Sequence, residues 1–235
     1  MVANPTSKWT GWVCEQPELC GQNGTCGPDA EDYVCGPDTW LTVTKCDETL
    51  GAGLTFNAGR YATNKRCELY GGHRYITMPG EPDPAAAFDC IAHVGAFGGD
   101  PLIGDALVAA VSPELNAPEG CNTGFLRPDA LLVVTMITDV EDDQSKMKPV
   151  DWYHAVVAAK GSTASVVMLA ILPQPHDGEP PPGCTVDTLG KQRLRDLINL
   201  FPYHAEGDTC APTYVPFFEQ AVGLVGEACN SFIPQ

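Results

Sequence analysis

The sequence predicts an α/β fold, a mainly parallel sheet layered between helices, preceded by a cysteine-rich stretch with little regular structure. Residues 130–138 and 165–172 are aliphatic and β-branched runs without polar alternation, the pattern of strands covered on both faces. Between them, apolar residues recur at helical spacing, so strand, helix and strand follow in the order that a parallel crossover requires. Six of the eleven cysteines, Cys14, Cys20, Cys26, Cys35, Cys46 and Cys67, lie among glycine, proline, aspartate and asparagine, where burial alone could not hold the backbone.

Residues 1–70 form the cysteine-rich, turn-rich segment, broken at Gly24, Gly27-Pro28, Gly36-Pro37 and Gly51-Ala52-Gly53. The α/β region is expected over 71–235. Gly71 to Met78 reads as a short strand ended by Pro79-Gly80. A helix follows over 84–94 with Phe88, Ile91 and Ala92 on one side, and a second carries Ile103, Ala106, Leu107, Ala110 and Val111 until Ser112-Pro113 stops it. The run 130–138 is expected to be a central parallel strand. Asp151 to Lys160 is a helix ended by Gly161, with Trp152, Tyr153, Val156 and Val157 on one side. Residues 165–172 are the second buried strand, and Pro173 to Gly183 a proline-rich exposed loop. Two further helices are marked by Leu194, Leu197, Ile198 and Phe201, and by Phe218, Ala221, Val222 and Val225.

A formal charge of −17, from 30 acids against 13 bases, repels a phosphate backbone, and no basic run overcomes it locally. Nucleic acid and anionic membrane surfaces are therefore poor candidate partners, while cations and basic surfaces suit the field. The apolar runs are too short to span a membrane, so no insertion of this segment is expected. Without any C-x-x-C, the cysteines suit disulfides better than zinc or redox sites, which implies an oxidising compartment: secreted, periplasmic or on the outer cell surface. Met1-Val2-Ala3-Asn4-Pro5 has neither the basic patch nor the apolar run of a signal peptide, so the export signal is expected upstream. An odd cysteine count leaves at least one sulfur over. Most bridges are expected within residues 14–67. Cys90 and Cys121 are expected near enough to pair, Cys210 and Cys229 flank the last helix, and Cys184 sits in the proline-rich loop.

Chemistry concentrates in Thr138-Asp139-Val140-Glu141-Asp142-Asp143, directly after the first buried strand. Ligands of open α/β sheets bind at that C-terminal edge. Five of the six residues carry side-chain oxygens, which hard cations such as Mg²⁺ and Ca²⁺ prefer. Asp139, at the strand terminus, is the primary candidate, with Asp142 and Asp143 beside it; the competing reading is a solvated acidic loop in which Glu141, Asp142 and Asp143 are all exposed. The chain has no G-x-S-x-G, no H-E-x-x-H and no P-loop, and its five histidines are scattered, so no catalytic residues are assigned. Asp89 and His93, four apart on one helix, form a minor pair. Asn23-Gly24-Thr25 is a formal glycosylation acceptor. Trp9, Trp12, Trp40 and Trp152 are expected to pack in cores rather than bind sugar.

The apolar strand ending in Thr138-Asp139, preceded by Gly98-Gly99-Asp100-Pro101-Leu102-Ile103-Gly104-Asp105-Ala106-Leu107, resembles two of the three pieces of the metal-ion-dependent adhesion site of von Willebrand factor A domains. Cys121-Asn122-Thr123-Gly124-Phe125-Leu126-Arg127-Pro128-Asp129-Ala130 resembles a cysteine-rich group of such domains in envelope proteins of soil-dwelling Gram-negative bacteria. The likeness covers about residues 70–235. It implies a three-layer, Rossmann-like sheet and a binding or adhesion module, not an enzyme, with a protein or cell-surface ligand. It implies that Asp139 is a metal ligand and that Asp100, standing where the family has a threonine, is a second. The family's D-x-S-x-S piece is absent and would lie upstream of Met1; Asp143-Gln144-Ser145 only echoes it. The resemblance thus implies a degenerate site holding Mg²⁺ or Ca²⁺ weakly. A structural, disulfide-stapled envelope domain and a divalent-metal hydrolase are the alternatives.

Overall fold

A computed structural model describes residues 1–11, 42–59, 61–95, 101–174, 184 and 192–234. The chain forms two compact units, Met1–Pro101 with Asp105–Phe125, and Leu102–Gly104 with Leu126–Gln235. In this division the described residues 71–95 and 105–125 group with the described part of the cysteine-rich segment, and the sequence analysis places its boundary near residue 70.

Among its described residues the first unit has little regular structure. A two-residue antiparallel pair, β1 (Phe56–Asn57) and β2 (Lys65–Arg66), is accompanied by helices α1 (Pro84–Ala92), α2 (Ile103–Ala110, which begins in the other unit) and α3 (Pro113–Asn116). Asp83 caps α1 by accepting the Ala86 N–H, and Pro84 takes the first-turn position where its missing N–H costs nothing. Ile91 of α1 is buried with Cys67 and Leu69, but Phe88, expected beside it, is exposed. No strand forms over residues 71–78. Gly71 and Gly72 both take φ of 69°, which ends an extended run before it starts. Trp9, buried as expected, packs on Phe56 and donates its indole N–H to the Phe56 carbonyl at 3.1 Å.

Disulfides supply long-range ties in this unit. Cys46 joins Cys121 and Cys67 joins Cys90, so the expected Cys90–Cys121 pair is not formed: Cys90 sits on α1, which packs on the Cys67 and Leu69 cluster instead. Cys14, Cys20, Cys26 and Cys35 lie outside the described residues. Changing both Cys67 and Cys90 to Ala is expected to destabilise this unit by roughly 3 kcal/mol, the loop-closure entropy of a bridge spanning 23 residues, checked by urea unfolding.

The second unit is the α/β body. Its strands β3 (Leu132–Ile137), β4 (Val166–Leu172) and β5 (Tyr203–Asp208) form a parallel sheet in the order β3-β4-β5, with helices α4 (Pro149–Lys160), α5 (Arg193–Ile198) and α6 (Val215–Ser231). Pro149 opens α4, and Gly161, in the left-handed region at φ 69°, closes it. Trp152 and Val156 face inward from α4. The buried Lys160 donates its Nζ to the Arg127 and Ala130 carbonyls, fastening the helix end to the approach to β3. Every residue of β4 is buried. One face, Val167, Leu169 and Ile171, packs with Ala205 under Phe217, Ala221 and Ala228 of α6. The alternate residues point to the other face, and α5 lies against both α4 and β4.

Two expectations are corrected here. β3 is an edge strand of the described sheet, not its centre: Leu132 and Met136 are buried, while Val133, Thr135 and Ile137 are exposed. Its unbroken apolar run predicts cover on both faces, and among the described residues one face is uncovered. β5 was not expected at all, because Tyr-His-Ala-Glu-Gly-Asp has neither an aliphatic run nor alternation. Cys184 pairs with Cys210, so Cys210 does not tie the last helix, and Cys229 is a free, exposed thiol. The proline-rich loop lies largely outside the described residues. No helix among the described residues is long and apolar enough to cross a membrane. Three disulfides point to an oxidising, extracytoplasmic environment.

Candidate functional site

The C-terminal end of β3 carries the acidic loop where the sequence places it. The ladder runs one residue past β3, the Thr138 N–H donating to the Ile171 carbonyl at 3.2 Å. Thr138 then closes a tight turn: its hydroxyl donates to the Val140 carbonyl at 2.8 Å and accepts the Val140 N–H at 3.1 Å. That turn projects Asp139 outward, and its side chain is exposed. Asp143 is exposed as well.

Two of the three acids expected to be exposed are not: Glu141 is half-buried and Asp142 is buried, leaving Asp143 as the exposed one. Asp142 is fully buried, and both carboxylate oxygens accept hydrogen bonds, from the Gly104 N–H at 2.6 Å, the Ser145 N–H at 2.9 Å and the Ser145 hydroxyl at 2.6 Å. Burial without such partners would cost several kcal/mol. Arg193 stands 3.8 Å from the same carboxylate and donates to the carbonyls of Asp142, Ser145 and Met147, its guanidinium lying over the Trp152 ring. The helix start at Gly104 can approach only because it lacks a side chain: a Cβ there would stand 2.1 Å from the Trp152 ring. The Ile103-Gly104 piece of the upstream loop and the acidic loop are thus joined through Asp142, which serves as a brace and not as an open ligand.

Glu141 has a different character. Its Oε2 is buried without a hydrogen-bond partner, and its carboxyl is raised above the ordinary range by burial, against the opposing pull of Arg195 and the Leu194 amide. Arg195 also holds Glu206 of β5, at 2.7 Å through Nε, and Gln174 reaches the same carboxylate. Glu141, Arg195, Glu206 and Gln174 therefore line the C-terminal edge of the sheet. Sequence reasoning missed Arg195 and Glu206, since Glu206 lies in the unexpected strand; a perturbed carboxylate at a sheet edge is the signal that marks such groups.

Among the described residues, no three His, Cys, Asp or Glu stand together as a cation site. Asp100 lies outside the described residues. With Asp142 saturated by protein donors, Asp139 and Asp143 do not make the near-octahedral oxygen set that Mg²⁺ demands, and the described residues do not fit a tightly held metal. Asp89 of α1 and His93, just past its end, approach to 3.6 Å, both exposed, with the ring nitrogen 2.7 Å from the Asp89 carbonyl oxygen, a surface contact. Trp152 is buried, as expected. Compared with protein-family models, with curated proteins and with solved structures, the chain finds no match.

Proposed function

We propose that the second unit is a von Willebrand A-like binding module, exported from the cytoplasm, that engages a protein or cell-surface ligand at the C-terminal edge of its sheet through an incomplete metal-ion-dependent adhesion site. The observation that carries this reading is Thr138-Asp139 at the end of a parallel strand, with Asp139 exposed, beside a strand edge that no described residue pairs. The contact of the Gly104 amide with the acidic loop supports it, since it brings together the two pieces on which the resemblance rests. Helices on either side of a parallel sheet agree with the three-layer arrangement. Asp139 is the protein's own contribution to the cation; Asp100 is the second candidate.

Weak binding is the expected result of a calcium or magnesium titration. The thermal midpoint should rise only at millimolar cation, and Asp139→Ala should abolish that rise while changing stability without metal by less than about 0.5 kcal/mol, as for other exposed substitutions. A midpoint indifferent to cation favours the second reading, a structural stapled domain, which the closed hydrogen bonding of Asp142 independently supports.

A further inference from the structure

Among the described residues nothing covers the outer flank of α6 or one face of β3, and the two border one trough. In the parallel register Val133 stands beside Val167, Thr135 beside Leu169 and Ile137 beside Ile171, and partners in a parallel ladder share a face. Val167, Leu169 and Ile171 lie under α6, so Val133, Thr135 and Ile137 emerge on the α6 side without cover, Ile137 being 63% exposed. On α6 itself, Val215, Phe218, Val222, Val225 and Cys229 recur at alternating spacings of three and four, the seam of a helix that packs on another helix. Val225 borders the core, whereas Val215, Phe218 and Cys229 are exposed and Val222 is 73% exposed. Tyr214, Val215, Phe218, Glu219 and Val222 line an open groove there. With the right-handed crossovers that parallel strands adopt, a helix returning over β5 and β4 turns residues about 100° past its core-facing side toward β3. The seam therefore faces the trough.

We propose that two copies of this chain dimerise through α6, each helix filling the trough beside the other, with Cys229 bonded to Cys229 of the second copy across the two-fold axis. A second copy fits because the surface complements itself: one seam meets the same seam, and Gly223 and Gly226, with open space beside them, leave room for the second copy's β3 face. The thiols meet at equivalent positions. With parallel axes about 10 Å apart and Cα atoms about 2.3 Å off each axis, facing Cα atoms lie roughly 5–6 Å apart, within disulfide range. Burying the seam and the β3 face of both copies removes on the order of 1,000 Å² from water, the lower bound for a specific interface. The apolar contact alone is thus marginal, and the covalent bond makes the dimer permanent. Its formation transfers two protons and two electrons from the thiols to a disulfide oxidant such as oxidised glutathione, which leaves as two reduced thiols.

The test is sedimentation and non-reducing electrophoresis of the full chain in chelator, so that the outcome is independent of the metal reading. With oxidised glutathione, the expected species has twice the chain mass, with a mapped Cys229–Cys229 peptide and no thiol left at residue 229. Cys229→Ser should abolish the covalent dimer and leave a weak, concentration-dependent association. Val222→Asp, a change at an exposed position, should keep the circular dichroism spectrum and give a monomer with a titratable Cys229. A wild-type chain that stays monomeric with a free Cys229 thiol overturns the proposal. So does Val222→Asp cross-linking as fast as wild type, because collision would then explain the bond.

Discussion

Asp47→Ala is expected to destabilise the first unit by roughly 3–5 kcal/mol, the scale for removing one partner from a buried ion pair. The Asp47 carboxylate is fully buried and receives Arg74 at 2.6 Å, Arg66 at 2.9 Å, and the Thr44 amide and hydroxyl, each at 2.8 Å. Arg74 also donates to the Gly53 carbonyl, and Arg66 to the Thr42 carbonyl, so neither side chain can simply swing out to water without losing further bonds. Burial by itself would raise the Asp47 carboxyl, but the hydrogen bonds from Arg66 and Arg74 outweigh it and hold the value at about 2, below the ordinary 3.8. Because the folded value is depressed, this contribution is fully present above pH 4 and is lost as the pH falls from about 4 through about 2, for a total of roughly 2 kcal/mol. Urea midpoints measured across that window should fall more steeply in wild type than in Asp47→Asn, which starts lower, so that the gap between the two narrows as the pH falls. A gap between wild type and variant that is independent of pH would contradict the paired carboxylate.

The second large effect is expected at Asp142. Replacement by Ala strands the Gly104 N–H, the Ser145 hydroxyl and the charge of Arg193 in a site closed by Trp152, and should cost roughly 3–5 kcal/mol of stability in the second unit. Asp139→Ala and Asp143→Ala, at exposed positions of the same loop, should each cost less than about 0.5 kcal/mol. This contrast separates bracing from ligation, because the cation response assigned to Asp139 should survive in any Asp142 variant that still folds. Equal stability losses at all three acids, read from thermal unfolding, would refute the division.

The elements of the second unit that could be read from sequence are those whose side chains announce their surroundings. β4 is an uninterrupted Val-Val-Met-Leu-Ala-Ile-Leu, and α4 runs from a first-turn proline to a left-handed glycine. β5 escaped because edge strands that pair through the backbone need no aliphatic run, and its Glu206 is there for Arg195. In the site, Thr138-Asp139 stands where its strand-terminal position implies. The role of Asp142 was illegible: three acids in a row look alike, and what distinguishes this one arrives from Gly104, 38 residues before it, and from Arg193, which holds its carbonyl from 51 residues beyond. The disulfides failed for the same reason. Spacing along the chain says nothing of which Cα atoms fall within bridging range, and Cys46 finds Cys121 across 75 residues.

The burial of every residue of β4 bears on how this chain reaches its folded state. Before the crossovers close, that strand is a seven-residue, uncharged, β-prone segment, the composition from which cross-β aggregates are built. Its neighbours on the sheet arrive only after a helix on each side has formed, so parallel pairing is slow compared with a hairpin. Pro173, immediately after Leu172, interrupts the run and acts as a gatekeeper, since proline cannot continue a hydrogen-bonded stack. A chain of this design leaves β4 open to its own copies until helix α6 has settled over it.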